Sequence, residues 1–196
     1  MPGDVTSLIE QVRSAAAASR PLRIRGGDTK RFYGEPVVGE PLETRGHSGI
    51  VSYVPSELVV TARAGTLLSE LEEALQARGQ MLAFEPPHFG PSATVGGMVA
   101  AGLAGPRRLA QGVATGSVRD SVLGARLLNG RGEVLSFGGQ VVKNVAGYDV
   151  SRLLAGSLGT LGVLLEVSLR VVPRPTYEET RVLSCTQADA LKSLQA

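Results

Sequence analysis

The chain of 196 residues has no tryptophan and only four phenylalanines and four tyrosines, so it offers few flat side chains on which bases could stack. Its formal net charge is +2, and its 20 basic and 18 acidic residues are scattered without a basic block. Together these absences exclude nucleic acid as the expected partner. A single cysteine, Cys185, cannot build a disulfide framework, and with two histidines it cannot complete a typical structural zinc site. No metal is expected, and a reducing compartment is the simplest inference.

Long apolar runs are missing as well. The N-terminal MPGDVTSLIEQVRSAAAASR has neither the basic start nor the continuous apolar stretch of a secretory signal. The segment SATVGGMVAAGLAG at 92–105 consists largely of small and apolar residues, but Pro91 precedes it and Pro106, Arg107 and Arg108 follow it. It therefore falls short of the ~20 residues that a bilayer requires. Hydrophobic residues at 43% and charged residues at 19% describe a globular chain, expected in the cytoplasm.

What the sequence does contain is a set of short periodic segments. Val5, Leu8, Ile9 and Val12 recur at helical spacing. PLRIRGG reads as a strand running into a glycine turn, and GIVSYV and LVVTAR read as two strands about a turn at Pro55 and Ser56. TLLSELEEALQARG places Leu67, Leu68, Leu71, Ala74 and Leu75 on one helical face, with Thr66 as the expected N-cap and Gly79 just past the end. SVLGARLL and EVLSF flank the turn NGRG as a hairpin. GVLLEVSLRVVP alternates strictly, as a half-buried strand does, and TYEETRVLSCTQADALKSLQA is expected to begin a new strand and then a helix. Strands and helices are interspersed without repeating βαβ units, so the expected class is α+β.

Glycine is abundant, 25 residues, and it concentrates in three segments between regular elements: RGGDT, TVGGMVAAG and GSLGTLG. Neither a GxxxxGK[ST] loop nor a GxGxxG opening a helix after a strand is present, which disfavours a P-loop and a Rossmann fingerprint. In TVGGMVAAG the glycine pair is expected to open a short helix whose N-terminal amides favour an anion. Taken singly, each segment has a bland reading. GGDT is ordinary turn punctuation; Asp28, Arg119 and Asp120 are solvated loop charges; Lys143 and Asn144 are turn residues; Tyr148 is a core or rim aromatic; His47 and His88 are structural loop histidines.

Order and spacing change that weighing. GGDTK, then PP followed by PSATVGG, then GSVRDSVLGARLLNGRGEVL, then KNVAGYDVSRLLAGSLGTLGVLLEVSLRVVP resembles the FAD-binding domain of the vanillyl-alcohol oxidase (PCMH) type, over roughly Pro21 to Pro173. Within that family, EPPHFGPSATVGGMVAAGLAGPRR with GGQVVKNVAGYDVSRLLAGSLGTLGVLLEVSL is similar to the FAD-binding subunits of bacterial glycolate oxidases.

The resemblance implies a two-subdomain FAD-binding domain over residues 1–173, and the start of a cap domain, truncated or missing, over 174–196. It puts Gly26, Gly27, Asp28 and Thr29 in the loop around the FAD pyrophosphate. Thr94, Val95, Gly96 and Gly97, with Ala100 and Gly102 behind them, match the segment beneath the flavin. Ser117 and Arg119 match the segment that follows, and Gly159, Gly162 and Val163 the last glycine turn. Some relatives attach flavin through a histidine in the first loop; Asp28 stands there in this chain, which implies noncovalent FAD. The implied partners are a second flavoprotein subunit and an iron–sulfur subunit, with a 2-hydroxy acid as substrate of the complex and contact with the inner membrane only through it. No catalytic residue is identified. A free-standing FAD-dependent hydroxy-acid dehydrogenase and a non-catalytic scaffold stand as alternatives.

Overall fold

A computed structural model describes residues 5–109, 116–139, 149–179, 182 and 184–195. In chain order the elements are α1 (Val5–Ala17), β1 (Leu22–Arg25), β2 (Glu40–Glu43), β3 (Ile50–Val54), β4 (Val59–Arg63), α2 (Leu68–Gln76), β5 (Gln80–Met81) and α3 (Val95–Ala101). They continue with α4 (Val118–Ser121), β6 (Val122–Leu128), β7 (Val134–Gly138), α5 (Val150–Leu153), β8 (Val163–Arg170), β9 (Val172–Pro173) and α6 (Gln187–Gln195). Helices and mostly antiparallel strands are mixed, as the α+β expectation has it.

Two sheets organise the chain. Five strands run in the order β3-β4-β8-β6-β7 with every neighbouring pair antiparallel. The smaller sheet pairs β1 with β2 in parallel, Leu22 opposite Glu40 and Arg25 opposite Glu43. The main core lies on the large sheet, where Leu68, Leu71 and Leu75 of α2 and Val95, Met98 and Val99 of α3 are buried with Val60, Val167 and Leu169. A second cluster joins the sheets: α1 buries Leu8 and Val12 against Leu42 of β2, Leu128 of β6 and Val163 and Leu165 of β8, with Leu22 packed alongside.

Three local expectations change. Helix α2 begins at Leu68 with Leu67 in the cap position, not at Thr66. The Thr66 hydroxyl is engaged elsewhere, donating to the Gly49 carbonyl at 3.1 Å and accepting from the Gly49 amide at 2.9 Å. The strict alternation of β8 is broken: its register against β6 shifts between Glu166 and Leu164, so Leu164 joins the main core with Val167 and Leu169 while Val163 and Leu165 face the α1 cluster, and Ser168 is buried beside Thr61. Over 176–186 no strand forms at the described residues, whereas the helix that follows is present as α6. Lys143, Asn144 and Tyr148 lie outside the described residues. Among the described residues no helix is long and apolar enough to cross a membrane.

Candidate functional site

Where the two sheets meet, three sequence-distant glycine segments converge on one cavity of about 100 Å³. Ile24 and Gly26 enter from the end of β1, Thr44 from the end of β2 and Ala64 from the end of β4. Gly96, Gly97 and Ala100 come from α3, Ser157, Leu158, Gly159 and Gly162 from the turn before β8, and Leu164 from β8 itself. Among the described residues no lining side chain is titratable, so this lining can shape and orient a ligand but offers no group to move a proton.

The floor is built by an exchange of main-chain bonds. Leu68 N donates to Ala93 O at 2.8 Å, Val95 N to Thr66 O at 2.9 Å and Gly96 N to Ala64 O at 2.8 Å. Thr94 caps α3, its hydroxyl accepting from Gly97 N at 3.2 Å. The first-turn amides of α3 are therefore spoken for by the protein. The expectation that this helix end receives an anion is corrected: those donors are consumed in joining α3 to β4 and α2.

The first loop is different. Among the described residues, the amides of Gly26, Gly27, Asp28 and Thr29 have no hydrogen-bond acceptor. Asp28 takes φ +56°, and a left-handed residue in a run of free amides makes a concavity that suits an anion. The loop is pinned from behind. Ser92 Oγ donates to Gly27 O at 2.8 Å, and a β-carbon at Gly27 would stand 1.6 Å from Ser92 O. Asp28 Oδ2 lies 3.3 Å from Arg25 Nε, and Thr29 touches Gly90, whose β-carbon would lie 3.3 Å from Thr29 Cγ2. Next to it Lys30, held below the ordinary lysine range by burial, donates to His88 O at 3.4 Å. His88 Nε2 is 2.9 Å from Glu72 Oε2; burial pushes the Glu72 carboxyl up, and His88 partly opposes that shift.

Of the residues singled out in the sequence, Gly26, Gly96, Gly97, Ala100, Gly159 and Gly162 line the cavity. Gly27, Asp28 and Thr29 continue from it, and Thr94 stands behind Gly26, whose β-carbon would approach Thr94 Oγ1 to 2.6 Å. Others serve the framework. Val95 is fully buried in the main core and Val163 in the α1 cluster. Gly102 ends α3 at φ +64°, against Gly156. Ser117 caps α4, and Arg119 is exposed on that helix. Ile24, Thr44, Ala64, Ser157, Leu158 and Leu164 were not anticipated. Ser157 and Leu158 sit inside the quoted GSLGTLG; Ile24, Thr44 and Ala64 carry no local signal, because they reach the cavity as ends of strands whose placement is tertiary. Arg107 is engaged by Glu85, with Nε 2.8 Å from Oε1, and by Glu178.

A surface of this design has known counterparts, and residues 1–138, well over half of the chain, match the family described as FAD binding domain. The chain belongs to the FAD binding domain family. Glycolate oxidase subunit GlcE of Escherichia coli (strain K12) is 57% identical over 169 residues, 86% of this chain and 47% of that protein. Glycolate oxidase subunit GlcD of Bacillus subtilis (strain 168) is 32% identical over 133 residues, 68% of this chain and 27% of that protein. Among solved structures, an alkyldihydroxyacetonephosphate synthase shares the fold with a TM-score of 0.66 at 21% identity, over 88% of this chain and 31% of its own. The chain thus spans about half the length of the E. coli relative. Its residues fit the cofactor of the FAD binding domain family: bare main chain at Gly26 and Gly97 and only a methyl group at Ala100 for a flat ring, apolar Ile24 and Leu164 beside it, and free amides at 26–29 for phosphate oxygens.

Proposed function

We propose that this chain is the FAD-binding part of a glycolate oxidase subunit. It holds FAD noncovalently within a multi-subunit oxidoreductase that also contains a second flavoprotein subunit and an iron–sulfur subunit. The observation that carries this reading is the meeting of three glycine segments at one cavity, with four unpartnered amides at its edge. The names of the E. coli and B. subtilis relatives, both glycolate oxidase subunits, supply the substrate class.

Gly26, Gly97, Ala100, Gly159 and Gly162 would hold the ring system, and the loop from Gly26 to Thr29 the pyrophosphate. FAD bound there supplies a two-electron acceptor for the hydride of a 2-hydroxy acid. The chain's own contribution is binding, orientation and exclusion of water. Asp28 leaves the first loop without a side chain able to attach flavin. The FAD domain ends with β9, whose Val172 and Pro173 close on Met81 and Gln80 of β5, and residues from 174 onward begin a covering domain. The complex works in the cytoplasm and meets the inner membrane only through its other subunits. A free-standing dehydrogenase is disfavoured, because the described lining has no base for the substrate hydroxyl and no cation for its carboxylate.

The test is the absorption spectrum of the purified protein followed by acid precipitation. A flavin spectrum with all the flavin in the supernatant is expected. Colourless protein that takes up no added FAD would overturn the cofactor assignment, and flavin retained in the pellet would overturn the noncovalent mode.

A further inference from the structure

We propose that His88 is a positioning residue for the phosphate loop: clamped to Glu72 of α2, it holds the proline loop 85–92 as the backing on which residues 26–29 keep the shape that receives the pyrophosphate. The inference rests on the FAD reading above and names a residue, outside the cavity lining, that sets the affinity of that site.

His88 is bonded at both ends. Its ring reaches α2, with Nε2 2.9 Å from Glu72 Oε2, and its carbonyl accepts from Lys30 Nζ at 3.4 Å. An ionised carboxylate only accepts, so Nε2 carries the hydrogen. The residues that follow extend the contact with the first loop. Lys30 Nζ stands 5.8 Å from the centre of the Phe89 ring, a β-carbon on Gly90 would meet Thr29 Cγ2 at 3.3 Å, and Ser92 Oγ donates to Gly27 O at 2.8 Å. Gly27, Thr29 and Lys30 therefore all rest on 88–92.

Little else fixes that backing. Pro86, Pro87 and Pro91 have no amide hydrogen, and among the described residues 86–89 make no hydrogen bond to other main-chain groups. The loop is tied at its start by Glu85, whose carboxylate accepts from Arg107 N at 3.2 Å and from Arg107 Nε at 2.8 Å. Just past its end, Ala93 O accepts from Leu68 N at 2.8 Å. Between those ties the His88 ring bonds the loop to a core helix. Phe89 takes φ +55° and is 54% exposed. A left-handed bulky residue persists only where its surroundings fix it, and burial of the ring does not do so here; the clamp one residue earlier does. Amides that converge on one anion bind it well only when they are held in place beforehand. The pair itself adds little to global stability, because the His88 and Glu72 side chains are 35% and 38% exposed. Its loss belongs in ligand affinity rather than in the melting temperature.

His88→Gln keeps an N–H at the place of Nε2, whereas His88→Asn carries one only to the place of Nδ1 and cannot reach Glu72. In flavin fluorescence titrations of the 196-residue chain, the asparagine variant should bind FAD about threefold to tenfold more weakly than the parent and the glutamine variant within about twofold of it. All three should melt within a few degrees of one another. Ser92→Ala then separates positioning from a general structural role. It cuts a bond from the proline loop to Gly27, so adding His88→Asn to it should cost clearly less affinity than in the parent, the non-additivity of residues that act through one path. Equal affinity in the asparagine variant and the parent, equal losses in the asparagine and glutamine variants, or full additivity with Ser92→Ala would each overturn the positioning role. A large fall in the melting temperature of the asparagine variant would overturn it too, making His88 a residue of general stability. A parent protein that takes up no FAD would overturn the cofactor reading, and this role with it.

Discussion

The two adjacent glycines of α3 look equivalent in the sequence but have different duties. A β-carbon at Gly96 would stand 2.7 Å from Ala64 Cβ and 3.0 Å from Ala64 O, so that glycine exists to let α3 lie on β4. At Gly97 only Thr94 Oγ1 comes near, at 3.2 Å, and the remaining space is the cavity. Gly96→Val should therefore lower stability by about 1–3 kcal/mol through overpacking. Gly97→Val should melt within a few degrees of the parent yet lose FAD affinity by about 100-fold or more, as expected when a close main-chain approach is blocked. Melting curves and flavin titrations of the two variants separate these duties; normal FAD affinity in Gly97→Val would refute the assignment of that face to the ring. A second prediction concerns Glu72. Burial raises its folded-state pKa above the ordinary carboxylate value despite His88. A group with a raised pKa contributes stability below its unfolded value and withdraws it as pH rises through the folded value. The parent should lose stability over the range just above pH 4.5, the ordinary value, and Glu72→Gln should show a flatter profile there in urea melts at several pH values.

At the scale of elements, α3 is a helix of seven residues whose position depends on its cap. Thr94 supplies the acceptor for Gly97 N and also fills the space behind Gly26. Thr94→Ala should cost about 1 kcal/mol of stability, the usual loss for a deleted N-cap, and should weaken FAD binding by loosening the floor on which Gly26 and Gly97 sit. Thr94→Ser keeps the oxygen and should recover most of both. Equal losses in Ser and Ala variants, read by thermal melts and flavin titration, would show that the methyl and not the cap matters. β8 illustrates how a register shift overrides pattern. Its alternation predicts one apolar face, yet the shift between Glu166 and Leu164 splits that face between the two clusters, Val163 and Leu165 toward α1 and Val167 and Leu169 toward α2 and α3, and Ser168 Oγ lies buried 2.8 Å from Thr61 Oγ1.

For the whole molecule, the decisive fact is what the described lining of the cavity omits. Ile24, Thr44, Ser157, Leu158 and Leu164, with the glycines and alanines, orient a ring but contain no acid, base or cation. Arg107, just beyond the glycine segment of α3, is held by Glu85 and Glu178 and so is not free to receive a substrate carboxylate. Hydride transfer also requires the reacting carbon fixed within roughly 3–3.5 Å of its acceptor by several groups. The 196-residue chain loaded with FAD should therefore leave the flavin oxidised when mixed anaerobically with excess glycolate. Bleaching on the timescale of turnover, with no other subunit present, would promote the free-standing dehydrogenase instead.

By itself the sequence determined the family, through the order of RGGDT, TVGGMVAAG and GSLGTLG, and with it the fold class and the cofactor. Order along the chain is a one-dimensional property, and glycine at a close approach leaves a mark in it. Local periodicity likewise determined α1, β3, β4 and the β6–β7 hairpin, because their buried faces repeat within a few residues. Tertiary structure alone decided which glycines face the cavity and which face protein, since Gly96 and Gly97 are told apart only by where β4 lies. It also decided that the α3 amides are consumed while those of Gly26–Thr29 stay free. A hydrogen-bond donor is spent or available according to what three-dimensional packing brings to it, and no spacing in the sequence records the carbonyls of Ala64 and Thr66 arriving at that helix end.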